Sequence, residues 1–338
     1  MPIVSIVKGS ERKENIRKAI NLIEPRIDEL IKEKNSDALF IKINTIDPNF
    51  PNANTHPDAL EAVLEYFYEK FDEIIIGDNS FAFTKKKNPY KHLKKAFPKI
   101  AFSDMEKIET EKIIFECIKG TKEAEISLLP KNAFTVSLAL PKTHDAVVYT
   151  GCSKNMLGCV VKNRNMVHGT AFYKRIFFRV MAKSNWLTHK NLVKVISFAR
   201  PDLSVLDGFV GMQGNGPIFG SPIELNFAMC SDDCIALDFL AAKSMGFKHV
   251  PYLLFCNKYG AGTTDLKKIG IAFSGFEKWE EICKEAKPHR LYKYQVLSEY
   301  DGFNVIDFRM LLEIFSRFYR LKDKIIDKIK KNNSNIIV

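Results

Sequence analysis

The chain has 338 residues, of which 46% are apolar and 12% aromatic, and it carries a formal net charge of +11. That size and apolar content suit a globular α/β protein with a sizeable core rather than a disordered or fibrous chain. No run approaches the roughly 18 consecutive apolar residues of a membrane-spanning helix, the first residues lack the basic start and cleavage site of a signal peptide, and seven scattered cysteines point to reduced thiols in the cytoplasm.

Val4–Val7 reads as a first strand. Arg12 to Lys34 carries Ile16, Ile20, Ile23, Ile27, Leu30 and Ile31 at helical spacing. Ala38–Ile43 is a second strand, Pro57–Tyr68 a helix with Pro57 in its first turn and Thr55 or His56 near the cap, and Glu73–Gly77 a third strand ending in Asp78. This alternation predicts a doubly wound α/β fold with a largely parallel or mixed sheet and helices on both faces. It further predicts that Val4–Val7, Phe40–Ile43 and Ile74–Ile76 are parallel neighbours. Thr84–Lys95 is a basic loop with a short helix. Lys112–Ile118 and Glu125–Leu129 form a hairpin, and Phe134–Leu140 is a buried strand.

Met156–Ala199 reads as helical with a break near Asn185. Leu203–Leu206 and Glu224–Met229 are strands around a loop in which five glycines fall between Asp207 and Gly220. A strand that ends in Asp and opens into glycine brings bare backbone up to a ligand. Asp232–Met245 is a helix ended by Gly246, and Glu277–Glu285 and Phe308–Ile329 are further helices. With no repeats and no linker, the simplest organisation is a single domain over 1–338, with a C-terminal helical extension over about 276–331.

In such sheets, ligands bind beyond the carboxyl ends of the strands. The groups found there are Asn44, His56, Asp78-Asn79-Ser80, Lys142-Thr143-His144-Asp145 and Asp207. His56, His144 and His168 suit acid–base or metal-ligand roles, although neither a two-His helical spacing nor a Cys-pair spacing is present. Lys142, Lys154 and Asn155 flank the turn Thr150–Gly158, whose backbone donors and ammonium groups suit a phosphate or carboxylate. The turn lacks the order of a Walker A loop. Gly211-x-x-Gly214-x-Gly216 likewise misses the dinucleotide-binding order.

Cys230 with Cys234, and Cys152 with Cys159, match no iron–sulfur or zinc spacing and read as buried structural thiols. Asp233 is placed to cap a helix, whereas Asp238 sits inside that helix among apolar neighbours. From Ala146 to Pro201 there is no acidic residue. Ten basic ones lie there: Lys154, Lys162, Arg164, Lys174, Arg175, Arg179, Lys183, Lys190, Lys194 and Arg200. Such a stretch attracts anions. The aromatic–basic run Phe172–Met181 has the composition of an interfacial helix but apolar coverage suited to a core groove.

Taken together, the chain resembles the family called domain of unknown function 362. The residues that carry the resemblance are Lys42-Ile43-Asn44, Thr55-His56-Pro57, Leu140-Pro141-Lys142-Thr143-His144, Lys154-Asn155-Met156-Leu157-Gly158, Leu206-Asp207-Gly208, Gly211-x-x-Gly214-x-Gly216-Pro217, Gly220, Asp233 and Ala236-x-Asp238. It runs from about residue 4 to 246. Many members of that family carry a ferredoxin-like iron–sulfur module. This chain has no such cysteine motif, so the resemblance implies redox chemistry fed by a separate ferredoxin-type electron donor.

The leading expectation is a cytoplasmic enzyme acting on a small anionic substrate or cofactor. One cleft would gather Lys42, Asn44, His56, Lys142, His144, Lys154, Asn155, Asp207, Gly214, Asn215, Gly216 and Asp238. His56, His144 and Lys142 would carry the catalysis, the lysines would hold the anion, and the glycine loop would offer backbone donors. A subsidiary expectation is a divalent metal held by His56, His144 and Asp233. The alternatives are a non-catalytic nucleic-acid or acidic-partner binder using segment 146–201, with nucleic acid the less favoured partner, and an iron–sulfur or metal carrier.

Overall fold

A computed structural model describes residues 1–47, 49–79, 88–105, 108–117, 120–169 and 181–297. Among these, the strands are β1 (Ile3–Lys8), β2 (Ala38–Lys42), β3 (Glu73–Asp78), β4 (Ile100–Asp104), β5 (Thr110–Glu116), β6 (Thr121–Ser127), β7 (Phe134–Ala139), β8 (Lys142–His144), β9 (Val148–Thr150), β10 (Val160–Lys162), β11 (Leu203–Gln213), β12 (Ser221–Ser231) and β13 (Gly270–Ser274). The helices are α1 (Arg12–Asn21), α2 (Glu24–Lys34), α3 (Pro57–Phe67), α4 (Leu93–Ala96), α5 (Leu129–Asn132), α6 (Cys152–Asn155), α7 (Met181–Phe198), α8 (Cys234–Ser244), α9 (Pro251–Lys258) and α10 (Tyr292–Leu297). The anticipated helix Phe308–Ile329, the run Phe172–Val180 and Ser80 lie outside the described residues.

The main sheet has the order β13-β1-β12-β11-β7-β2-β3-β4. β11, β7, β2, β3 and β4 are successive parallel partners, and β12 is antiparallel to both its neighbours. The α/β class and the mixed sheet are thus as anticipated. Alternate residues of β2 face opposite sides, as a pleated strand requires. Leu39 and Ile41 join a core with Ile16 and Ile20 of α1 and Leu60 and Val63 of α3. Phe40 joins the core on the other face, with residues of α6, α7, α8 and α9. Both faces are therefore covered, and β2 is apolar through its length because neither side meets water.

Several expectations change in detail. β2 and β3 are parallel neighbours, but β1 lies beyond β12, β11 and β7, so it shares their sheet without touching them. The first long helix divides at Leu22–Ile23, where Pro25 starts α2. Residues 156–168 form 3-10 turns around the short strand β10, and α7 runs unbroken through Asn185. Glu277–Glu285 contains only a 3-10 turn over Trp279–Ile282. The anticipated hairpin is β5–β6, which with β10 forms a second, three-stranded sheet. Among the described residues no helix is long and apolar enough to cross a membrane.

The glycine-rich segment is the largest departure. β11 does not stop at Leu206 but continues to Gln213 and pairs antiparallel with β12, so Asp207 lies within a strand. A Cβ on Gly208 would meet the Phe227 ring at 2.2 Å, and one on Gly216 would meet Thr143 O at 2.1 Å. These glycines admit neighbouring protein atoms rather than a ligand. Gly214, with φ of 77°, serves the hairpin turn.

Candidate functional site

The carboxyl ends of β2, β3 and β7 meet at one edge of the sheet, and each delivers a polar side chain there. Lys42 is the last residue of β2 and Asp78 the last of β3. Lys42 Nζ donates to Asp78 Oδ1 at 2.7 Å and to Ile43 O at 2.7 Å. The second carboxylate oxygen of Asp78 accepts from the Thr45 backbone N–H at 2.7 Å and from the Thr45 hydroxyl at 2.9 Å. Gly158 makes room for this pair, since a Cβ there would sit 2.5 Å from Lys42 Nζ and 2.6 Å from Asp78 Oδ1.

Lys142 opens β8, just beyond β7, and is 1% exposed. Its Nζ donates to Asn44 Oδ1 at 2.7 Å and to Ala53 O at 2.8 Å. Both acceptors are neutral, so burial is poorly compensated. Burial, with the positive charge of Lys154, lowers its pKa to about 7, against an opposing pull from Asp78. Asn155 is a clamp between these parts. Its amide donates to Lys42 O and Ser137 Oγ, and its carbonyl accepts from Lys42 Nζ and Asn44 Nδ2.

These groups line a cavity of about 260 Å³ together with His144, Lys154, Arg164 and His168. Lys154 makes no hydrogen bond or ion pair with any described residue. Burial lowers its ammonium pKa to about 8, with Asp145 opposing. Among the lining side chains four are basic and one, Asp78, is acidic, and that carboxylate is already taken up by Lys42 and Thr45. Burial and Lys154 push the pKa of His144 down to about 3, with the Asp145 carboxylate opposing. The His144 Nδ1 lies 3.0 Å from both the Ala146 N–H and Asp145 Oδ1. His168 is lowered to about 4 by the same two causes. The cavity therefore presents ammonium and guanidinium groups beside neutral imidazoles, a set that holds an anion and can exchange a proton with it.

Of the residues anticipated for one cleft, the structure brings together Lys42, Asn44, Lys142, His144, Lys154 and Asn155. It places the others elsewhere. His56 caps α3, its Nδ1 accepting from Asp58 N–H at 3.1 Å. With Asp207 it lines a second cavity, which shares Thr45 with the first. Asp207 is paired with Arg12 at 3.2 Å. Gly214 and Gly216 belong to the hairpin turn, and Asn215 is exposed to solvent, outside the cationic cavity.

Asp238 is fully buried away from both cavities. It accepts from the N–H groups of Cys152 and Ser153, each at 2.8 Å, and from the Ser153 hydroxyl, and so ties down the start of α6. Asp233 caps α8 through Ile235 and Ala236 and lies near Arg200, Pro201 and Met1, where β1 and β11 begin. It is at the opposite edge from His56 and His144, so these three do not form a metal site. Among the described residues, no group of three or more His, Cys, Asp or Glu side chains could hold a metal ion. Cys152, Cys159, Cys230, Cys234 and Cys256 are buried, and burial pushes their thiols up, Cys159 to about 12.

Asp78, Thr45 and Arg164 belong to the site although the anticipated cleft left them out. Asp78 had the signal, a carboxylate at a strand end. Arg164 had only its place in the acid-free segment, and Thr45 had none, since its contact with Asp78 joins segments far apart in the chain.

The chain belongs to the family described as Domain of unknown function (DUF362), whose profile matches residues 39–243. That span includes every residue lining the cationic cavity. A thylakoid-associated protein of Synechocystis sp. is 28% identical over 216 residues, which is 61% of this chain and 62% of that relative. The match thus spans less than two thirds of the relative's length.

Proposed function

We propose that this member of the DUF362 family is an enzyme that binds a small anionic substrate or cofactor, through a phosphate or carboxylate, in the cavity at the carboxyl edge of β2, β3 and β7. The observation that carries the reading is Lys154, a partly buried ammonium with no hydrogen-bond or ion-pair partner among the described residues, set beside Lys142 and Arg164 in a cavity whose one carboxylate is already paired. An unpaired cation in a low-dielectric site is costly unless a ligand completes it. Lys142, with its pKa near 7, is the group that would take up or release a proton as the anion reacts. Lys42, Asp78, Asn44 and Asn155 form the rigid frame that positions it.

The nucleic-acid alternative draws less support. Of the acid-free segment's charges, Lys162 pairs with Glu125 at 2.8 Å and Lys190 with Glu116 at 2.6 Å. Lys194 also reaches Glu116, and Arg200 lies near Asp233, while Lys154 and Arg164 line the cavity. Lys174, Arg175, Arg179 and the side chain of Lys183 lie outside the described residues. The acid missing from the segment is supplied by β5, β6 and the start of α8, which leaves these cations dispersed rather than as a free stripe.

Calorimetric titration with inorganic phosphate and with acetate tests the reading. Binding of at least one, lost in Lys154→Met and weakened in Arg164→Ala, is expected. No binding at tens of millimolar, or salt-sensitive binding of duplex or single-stranded nucleic acid instead, overturns it.

A further inference from the structure

The cationic cavity has a neighbour of different character. The second cavity, of about 450 Å³, shares Thr45 with it and has apolar walls at Pro51, Pro57, Pro89, Tyr90, Leu140 and Val210. Its charged groups cancel: Arg12 Nε sits 3.2 Å from an Asp207 carboxylate oxygen, and His56 is lowered below the usual imidazole range by burial and by Arg12. Lys142 links the two linings, donating to Asn44 of the cationic cavity and to Ala53 beside the second. Ala53 lies between Asn52 and Asn54, which line the second cavity.

An aromatic pair also joins segments that adjoin the two linings in sequence. Phe50 precedes Pro51 of the apolar cavity, and Phe219 stands two residues beyond Pro217 of the cationic one. The two rings pack edge to face with centroids 5.3 Å apart, and Phe219 is 72% exposed.

We infer that the ligand is an organic anion with two parts, a phosphate or carboxylate head in the cationic cavity and one ring-sized apolar body in the neighbouring cavity. This inference rests on the anion-binding reading and narrows it to aryl or alkyl phosphates or carboxylates rather than inorganic ions. The space is ample, since an apolar cavity of roughly 150 Å³ already accepts benzene. A neutral, largely apolar chamber adjoining a cationic one separates the two ends of such a molecule as a ligand site requires.

The test compares inorganic phosphate with phenyl phosphate by calorimetric titration. Burying a phenyl group is expected to tighten binding at least ten-fold. The advantage should vanish when a large side chain fills the apolar cavity, in Val210→Trp or in Asn52→Trp, the latter on an exposed residue where folding is not at stake. Both variants should still bind inorganic phosphate. Phenyl phosphate binding no tighter than phosphate, while phosphate still requires Lys154, overturns this inference and leaves the anion cavity standing. Failure of both compounds to bind removes both readings.

Discussion

Lys42 Nζ and Asp78 Oδ1 lie 2.7 Å apart with side chains only 1% and 7% exposed, joining the carboxyl ends of two adjacent parallel strands. The pair has its remaining hydrogen-bonding capacity met by Ile43 O, Asn155 Oδ1 and Thr45, which is the condition under which a buried ion pair is tolerable. Breaking it from one side leaves a bare charge. Asp78→Ala is expected to lower stability by about 3–5 kcal/mol. The double variant Lys42→Met/Asp78→Ala should lose less than Asp78→Ala alone, because no uncompensated ammonium remains. Urea unfolding of the single and double variants measures this, and a double variant less stable than Asp78→Ala would show that the pair is not the unit that matters.

Gly158 is needed for space. An alanine methyl would fall 2.5 Å from Lys42 Cε and Nζ and 2.6 Å from Asp78 Oδ1. Lysine ends usually swing away from such a clash, but this one is held by Asp78, Ile43 and Asn155. Gly158→Ala is therefore expected to cost about 1–3 kcal/mol and to weaken phosphate binding, through displacement of the frame that carries Lys142. Unchanged stability would mean that Lys42 relaxes freely.

Asp238 acts on the site from a distance. Burial raises its carboxyl pKa from 3.8 to about 6, with Ser153 and Cys152 opposing. Between about pH 4 and 6 the folded state then binds more protons than the unfolded one, so this group's contribution to stability falls as pH rises, by about 3 kcal/mol at most. Asn at this position does not titrate, and its NH₂ faces backbone donors. Asp238→Asn should thus be destabilising and cost more at pH 4.5 than at pH 7. Chemical denaturation at the two pH values checks the sign.

Much of the architecture was legible because its signals are local. The apolar run of β2, the Pro57 start of α3 and the strand-end polar groups Asn44, Lys142 and His144 are all readable from neighbouring residues, and the rule that parallel strands present their carboxyl ends together gathers them. What escaped depends on distant partners. Asp207 looks like a strand end until β12 pairs with β11 past it, and Gly208 looks like a ligand loop until Phe227 lies over it. The nearness of the two cavities depends on contacts such as Lys142 reaching Ala53, 89 positions away. Asp238 was selected as a ligand-binding carboxylate because it stands in a helix among apolar neighbours. Its partners are instead the N–H groups of α6, which nothing in its own surroundings reveals.

Lys142, which is buried, and Lys154, which is partly buried, give the site an opposing pair of pH responses. Lys142 is lowered from 10.5 to about 7 and Lys154 from 10.5 to about 8, both chiefly by burial. Between those values and about pH 10 the unfolded chain holds protons that the folded one has released, so without ligand these groups make stability rise as pH rises. A bound anion does the reverse. It favours the ammonium forms, so binding at pH 8 should draw protons from solution, and affinity should fall above about pH 8 by up to ten-fold per pH unit for each amine. The stabilisation conferred by phosphate should therefore shrink with rising pH while the ligand-free protein grows more stable over the same range. Titrations in buffers of differing ionisation enthalpy count the protons taken up, and thermal unfolding with and without phosphate from pH 6 to 9 follows both trends. Lys142→Met should remove one proton from the uptake and flatten the ligand-free slope. Phosphate affinity independent of pH across that range would mean that neither amine faces the anion.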